Sequence, residues 1–222
     1  MTQLQKDLQQ QLSSQRHIWG HIQPDRWQAV LAYAEGTILD VGCANGVYVK
    51  RLLDEQRDAY GIDLLRYPEW VALPHRLAIA DATALPHPDN SFDTIISFET
   101  LEHIPNVETA LREYRRVCRK NIIVSVPNCE TPDELRDGGL TYHHWTDRTH
   151  VNLFTHDTLT QALMQAGFRI RHSAYINRIL PAVPLLCAFG IPLRPARGIA
   201  RLLRRISPKQ FPMTLLAVGE KV

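Results

Sequence analysis

The segment from Thr37 to Gly46, TILDVGCANG, constrains this chain more than any other. An apolar strand runs into an acid, Asp40, and then into a tight turn of small residues directly before a helical pattern. Such a turn sits at the carboxyl end of the first strand of a doubly wound sheet, where backbone must come close to a ligand, and Gly42 and Gly46 permit that approach. It reads as a nucleotide-type cofactor loop. The hydride-cofactor fingerprint G-x-G-x-x-G is not met, because Gly42, Ala44 and Val47 occupy its three glycine places. The order is instead D-x-G-x-A-x-G. Ala44 carries a Cβ that disfavours positive φ, so a small repositioning of the loop is expected there.

A second acid follows at the distance that one helix and one strand consume. Residues 49–53, VKRLL, read as a helix and Ala59 to Asp63 as the next strand, which puts Asp63 seventeen positions after Gly46. A carboxylate at that strand end accepts both hydroxyls of a ribose; otherwise it is a solvated acid after a strand. A third strand, His75 to Ala80, ends at Asp81. A turn at Asp89 leads into an apolar fourth strand ending at Phe98, of the kind buried on both faces. A helix from Val107 to Cys118 and a fifth strand from Asn121 to Pro127 continue the alternation, which predicts a parallel sheet with ligands at its carboxyl edge.

The loop resembles the S-adenosylmethionine (SAM) loop of class I methyltransferases, usually D/E-x-G-x-G-x-G, with Ala44 the one departure. The resemblance covers roughly residues 28 to 176 plus a final strand. It implies a single-domain Rossmann-like doubly wound α/β sheet in the order 3-2-1-4-5-7-6, mostly parallel with an antiparallel last strand and with helices on both faces. It also implies SAM as cofactor, held by Asp40, Gly42, Cys43, Ala44, Gly46, Asp63, Leu64, Asp81, Ala82 and Phe98. In that family the acid matching Asp81 meets the adenine amino group, and the next backbone amide, here Ala82, lies on the ring.

At 222 residues and 45% hydrophobic content, the chain supports one domain with a sizeable core. Its net charge of +2 gives no basic field of the kind a dedicated nucleic-acid binder carries. Cys43, Cys118, Cys129 and Cys187 show no close pairing or zinc spacing, and residues 1–16 lack the apolar core of a signal peptide, so the expected location is cytoplasmic.

Residues 1–36 read as an N-terminal helical cap: a polar helix with Leu4, Leu8 and Leu12, then a second from Pro24 to Ala34 ended by Gly36. The cap either closes over the ligands or packs only on the sheet. The rest, 37–222, forms the main domain. Residues 128–155 are too long for an ordinary connection and leave the carboxyl edge, so they are expected to act as a lid. Within it, Asn128, Tyr142, His144 and Trp145 are the candidate acceptor contacts. The run His-x-Asn-Leu-Phe-Thr from His150 and the Ala-Gly-Phe at 166–168 resemble the ubiquinone-biosynthesis-like branch of small-molecule methyltransferases.

An insertion at 179–206 begins with fifteen apolar residues broken by Pro181, Pro184 and Pro192, too few to span a bilayer, and continues as an arginine-rich helix. It forms a cap or dimer contact, or it touches a membrane surface or a lipid-linked acceptor. The sequence does not set the oligomeric state.

Methyl transfer from a sulfonium is a direct displacement, and a neutral hydroxyl acceptor must also lose a proton. Glu99, Glu102 and His103 follow the fourth strand at i, i+3 and i+4, where a helical turn would bring them together facing the acceptor. His103 is the candidate base and His150 its rival; alternatively a divalent metal is held by Glu99, Glu102 and His103. This E-x-x-E-H grouping is similar to one in the ubiquinone O-methyltransferases, although Leu-Glu-His-Ile also occurs across the wider superfamily. The signature of amino-group methylation on bases, Asn/Asp-Pro-Pro-Tyr/Phe, is absent after the fourth strand. The expected activity is O-methylation of a small-molecule, lipid-linked or glycan-type acceptor, with nitrogen or carbon acceptors and a non-catalytic cofactor-binding or regulatory protein as the alternatives.

Overall fold

The computed structural model describes residues 21–130, 133, 149–179, 182–206 and 210–222. Its centre is a seven-stranded sheet: β1 (Ile38–Val41), β2 (Ala59–Asp63), β3 (Leu77–Ile79), β4 (Phe92–Phe98), β5 (Cys118–Pro127), β6 (Phe168–Ile179) and β7 (Phe211–Lys221). The order is β3-β2-β1-β4-β5-β7-β6, as expected. The first five strands pair in parallel, and β7 inserts antiparallel between β5 and β6, with Leu216 opposite Ser125 on one side and Ala174 on the other. The helices are α1 (Pro24–Tyr33), α2 (Val47–Asp54), α3 (Val107–Val117), α4 (His156–Gln165), α5 (Ala182–Ala188) and α6 (Leu193–Ile206).

Alternation along each strand sorts its side chains to two faces. Leu39, Val41, Ile95, Ile122 and Val124 join Leu111, Tyr114, Leu159 and Leu163 of α3 and α4 in one core. Ile38, Ile96 and Ile123 join Trp27, Val30, Tyr48, Val49 and Leu52 of α1 and α2 in the other. Both faces of the central strands are therefore covered, which is why β1 and β4 read as mostly apolar runs rather than alternating ones. The edge strand β3 has only three residues and is partly exposed, shorter than the segment from His75 to Ala80 suggests, since one neighbour and one covered face supply little to hold it.

Local chemistry fixes the helix ends. Gln23 accepts from the backbone of Arg26 ahead of Pro24, and Thr155 and Thr158 form a reciprocal capping box on α4. Asn106 caps α3 by accepting from Thr109. The four cysteines are free, three of them buried. No helix among the described residues is long and apolar enough to cross a membrane. The first polar helix, with Leu4, Leu8 and Leu12, lies outside the described residues, as do Tyr142, His144 and Trp145 of the expected lid.

Candidate functional site

Strand connections leave β1 and β4 in opposite directions, so the crevice of this sheet opens at the carboxyl ends of those two neighbours. The turn after β1 occupies it. Gly42, Ala44 and Gly46 take φ of 80°, 44° and 80°, and the amides of Gly42 and Cys43 both donate to the Ile62 carbonyl at 2.9 Å. A Cβ on Gly42 would stand 2.2 Å from the Thr100 hydroxyl oxygen, so the turn is packed directly against the end of β4.

Ala44 adopts the left-handed conformation that a glycine would take, at a cost of about 1–2 kcal/mol. Two hydrogen bonds offset it: the Ala44 amide donates to Asp63 Oδ2 at 2.9 Å, and Trp70 Nε1 donates to the Ala44 carbonyl at 2.7 Å. Trp70 lies on the 3-10 turn Pro68–Ala72 after β2 and carries no motif that sequence reasoning uses.

Asp63 also accepts from the Leu65 amide at 3.0 Å. The Leu64 amide bonds to the same carboxylate, so of its about four lone-pair sites at least one remains for a ribose hydroxyl, and the acceptor fits a nucleoside. Asp81 lies past β3, where its Oδ1 accepts from both the amide and the hydroxyl of Thr83 at 2.8 and 2.7 Å, and Ala82 next to it is half-buried. Phe98, at the end of β4, is buried with its ring centroid 4.9 Å from that of Tyr48.

Asp40 is buried under the loop, and that burial, with the charge of Asp63 second, pushes its carboxyl up to about 8. The carboxyl thus holds a proton at neutral pH in the free protein. Because its folded value lies above the unfolded one, the free protein is expected to lose stability as pH rises from about 4 through about 8. A cationic sulfonium cofactor favours the ionised form, so its binding should expel the proton. Affinity for SAM is then expected to rise with pH up to about 8, by at most about tenfold per unit, and Asp40→Asn should flatten the profile. Calorimetry in two buffers of different ionisation enthalpy reads the proton; equal heats in both would remove Asp40 from the linkage.

The turn after β4, expected to face the acceptor, departs from the expected helical turn. Glu99 takes a left-handed φ of 50°, and the 3-10 turn begins only at Leu101. Glu99 therefore swings away from Glu102 and His103: its Oε1 lies 2.6 Å from an Arg26 guanidinium nitrogen and accepts from the Ser125 hydroxyl at 3.2 Å. Arg26 comes from α1 and also lies over the Phe98 ring at 5.8 Å. No local signal in the sequence couples Arg26 to a residue 73 positions away.

His150 takes the place expected for Glu99. The His103 and His150 rings lie 4.9 Å apart, His103 Nε2 is 3.8 Å from a carboxylate oxygen of the fully buried Glu102, and His103 Nδ1 contacts the Thr149 carbonyl at 3.2 Å. Glu102, His103 and His150 offer ligand atoms within 4.8 Å of one another, near the spread of about 3–4 Å that one first-row ion imposes. Among the described residues, the three-residue set that suits a metal is thus this one, with Glu99 outside it.

Asn152 clamps this corner. Its amide nitrogen donates to the carbonyls of Leu101 and Ile104 at 3.1 and 2.7 Å, while the Val151 and Asn152 amides donate to the Glu102 carbonyl. Asn152→Ala is expected to orphan the Ile104 carbonyl, and to leave the Leu101 carbonyl with the Ile104 amide alone, lowering stability by about 1–3 kcal/mol, which a urea titration would show. An unchanged midpoint would mean that the clamp contributes nothing. Asn128, expected to face the acceptor, is buried instead: its amide donates to the Pro212 carbonyl at 3.0 Å and accepts from the Glu130 amide at 3.0 Å. It ties the end of β5 to β7.

Residues 15–173 match the family model of a methyltransferase domain. A malonyl-[acyl-carrier protein] O-methyltransferase of Halorhodospira halophila is 31% identical over 145 residues, covering 59% of this chain and 48% of that protein. A ubiquinone biosynthesis O-methyltransferase of Photobacterium profundum is 30% identical over 114 residues, or 45% of this chain and 48% of that one. The chain spans about half the length of these curated relatives. Among solved structures, the 1,6-didemethyltoxoflavin-N1-methyltransferase of Burkholderia thailandensis, with bound S-adenosylhomocysteine, has a TM-score of 0.67 at 16% identity over 99% of this chain and 87% of that one, a likeness of fold. Because the domain match takes in the whole D-x-G-x-A-x-G loop and every strand from β1 into β6, the chain belongs to the class I SAM-dependent methyltransferases.

Proposed function

We propose that this chain transfers the methyl group of SAM to a hydroxyl oxygen of a small-molecule, lipid-linked or glycan-type acceptor, with His103 receiving the hydroxyl proton. The observation that carries the reading is the cluster of Glu102, His103 and His150 after β4, beside the turn that follows β1. The oxygen acceptors named for the malonyl-[acyl-carrier protein] and ubiquinone relatives support it.

SAM supplies an electrophilic methyl on a sulfonium. The protein's own share is largely alignment in a dry crevice, which supplies about 7–11 kcal/mol of a barrier. Asp63 accepts the ribose hydroxyls, Asp81 and the Ala82 amide receive the adenine, and Asp40, Gly42, Cys43, Ala44, Gly46, Leu64 and Phe98 line the remaining wall. Glu99, held by Arg26, presents a fixed carboxylate toward the acceptor side.

His103 is oriented for proton transfer. Its Nδ1 faces a backbone carbonyl and must carry hydrogen to bond there, which leaves the lone pair on Nε2. An imidazolium formed at that ring would be stabilised by the Glu102 carboxylate. A second reading has Glu102, His103 and His150 hold a divalent ion that lowers the acceptor hydroxyl's pKa.

Transfer of labelled methyl to a panel of hydroxyl, amine and carbon-acid acceptors tests the proposal. Product on hydroxyls alone is expected. Product on amines alone would overturn the oxygen reading, and cofactor binding without turnover on any acceptor would favour a binding protein.

A further inference from the structure

Between β6 and β7 the chain leaves the sheet as a helical hairpin of α5 and α6 whose helices pack on each other, and none of the residues named in the site above comes from it. At about 3.6 residues per turn, α6 has three faces. Ala196 and Ala200, four apart, are buried. Arg194, Arg197, Arg201, Arg204 and Arg205 make a second face, and none of them forms an ion pair among the described residues. Ile199, Leu202, Leu203 and Ile206, at i, i+3, i+4 and i+7, make a third, and all four are exposed, Leu202 by 57% and Ile206 by 72%. Phe189, at the tip between the helices, is 83% exposed.

This concentration is particular to the hairpin. Seven of the fourteen large apolar side chains that stand exposed among the described residues fall between Leu185 and Ile206. From Thr158 to Gly219 the sequence holds nine Lys and Arg and no acid, leaving sixteen of the twenty-five basic residues against all twenty-three acids elsewhere. A near-neutral total thus conceals a strongly basic end and an acidic body.

We propose that the hairpin is a docking surface for an anionic lipid bilayer, with the apolar face of α6 and Phe189 set among the acyl chains and the arginines among the headgroups. Aliphatic residues flanked by arginines on a helix too short to span match an element that lies in the interface plane. A nucleic acid fits poorly, because phosphate contacts would leave the aliphatic face wet and Phe189 is the hairpin's one aromatic residue for a base to stack on. A two-fold contact through the aliphatic faces would bury those side chains but leave the arginines, on the far side of α6, without a complementary charge. The surface serves whatever the acceptor, since lipid binding is read without turnover.

Flotation of the full chain with vesicles tests this, using phosphatidylcholine alone and phosphatidylcholine mixed with phosphatidylglycerol in roughly equal parts. The chain is expected to float with the mixed vesicles, to sink with the neutral ones, and to bind less as salt rises. Leu202→Asp with Ile206→Asp should lower mixed-vesicle binding by at least about tenfold, and Arg201→Gln with Arg204→Gln and Arg205→Gln should lower it and flatten the salt dependence. S-adenosylhomocysteine affinity should be unchanged in both variants, which verifies that they fold. Absence of flotation with the mixed vesicles, or flotation that both variants retain in full, would overturn the proposal. Sedimentation showing a dimer that Leu202→Asp dissociates would overturn it in favour of a second copy of the chain.

Discussion

Asp63→Ala is expected to lower affinity for SAM and for S-adenosylhomocysteine alike, by about a hundredfold or more. Hydrogen bonds to a charged acceptor contribute about 1.5–3 kcal/mol each, and the carboxylate at the end of β2 is placed to accept from a ribose. The free protein adds a second cause. Asp63 already anchors the Ala44 and Leu65 amides, so its removal releases the loop that must receive the cofactor. Ala44, held in the left-handed region partly by that bond, would be free to relax. Asp63→Asn separates the two causes, because an amide keeps the shape but has one accepting oxygen and must present N–H groups to one of the two amides. Its loss in melting temperature should therefore approach that of Asp63→Ala, while its loss in affinity is smaller. Calorimetry showing unchanged affinity in a folded Asp63→Ala protein would take Asp63 out of the site.

The turn after β1 and the acid that meets it were legible because strand, turn, helix and strand follow one another with little slack. Once β1 and Gly46 are located, one helix and one strand lead to Asp63, and its carboxylate does meet the loop. The acceptor half depends on contacts between residues far apart in sequence. Spacing at i, i+3 and i+4 groups Glu99 with Glu102 and His103 only if the backbone is helical across all five residues. The left-handed φ at Glu99 breaks that condition, and nothing in the local sequence FETLEH announces it. Asn128 and Asn152 show the same limit from another side. Both are polar residues within the long connection, Asn128 read as an acceptor contact and Asn152 only as part of a resembling run, and the amide of each is spent on backbone that a long-range approach brings near. The strand order was readable from family resemblance, whereas the Arg26 pairing with Glu99 required α1 to be placed on the sheet.

His103→Ala is expected to slow methyl transfer by about 10²- to 10⁴-fold while leaving S-adenosylhomocysteine affinity within about twofold, since the imidazole meets His150, Glu102 and the Thr149 carbonyl on the turn after β4. The geometry then separates proton acceptance from metal assistance through the neighbour. If His103 takes the proton, turnover survives a chelator, falls as acid protonates the ring, and drops only modestly in His150→Ala, whose ring touches but does not replace that of His103. If Glu102, His103 and His150 share a divalent ion, chelation abolishes turnover, an added divalent ion restores it, and His150→Ala costs as much as His103→Ala because both remove one ligand of three. Glu102→Gln sharpens the contrast. A neutral amide still fills the buried space but no longer stabilises an imidazolium or offers a charged ligand, so its rate should fall under either scheme, with metal rescue at higher ion concentration only under the second. Wild-type turnover in His103→Ala would defeat both schemes and leave alignment of acceptor and cofactor as the protein's whole contribution.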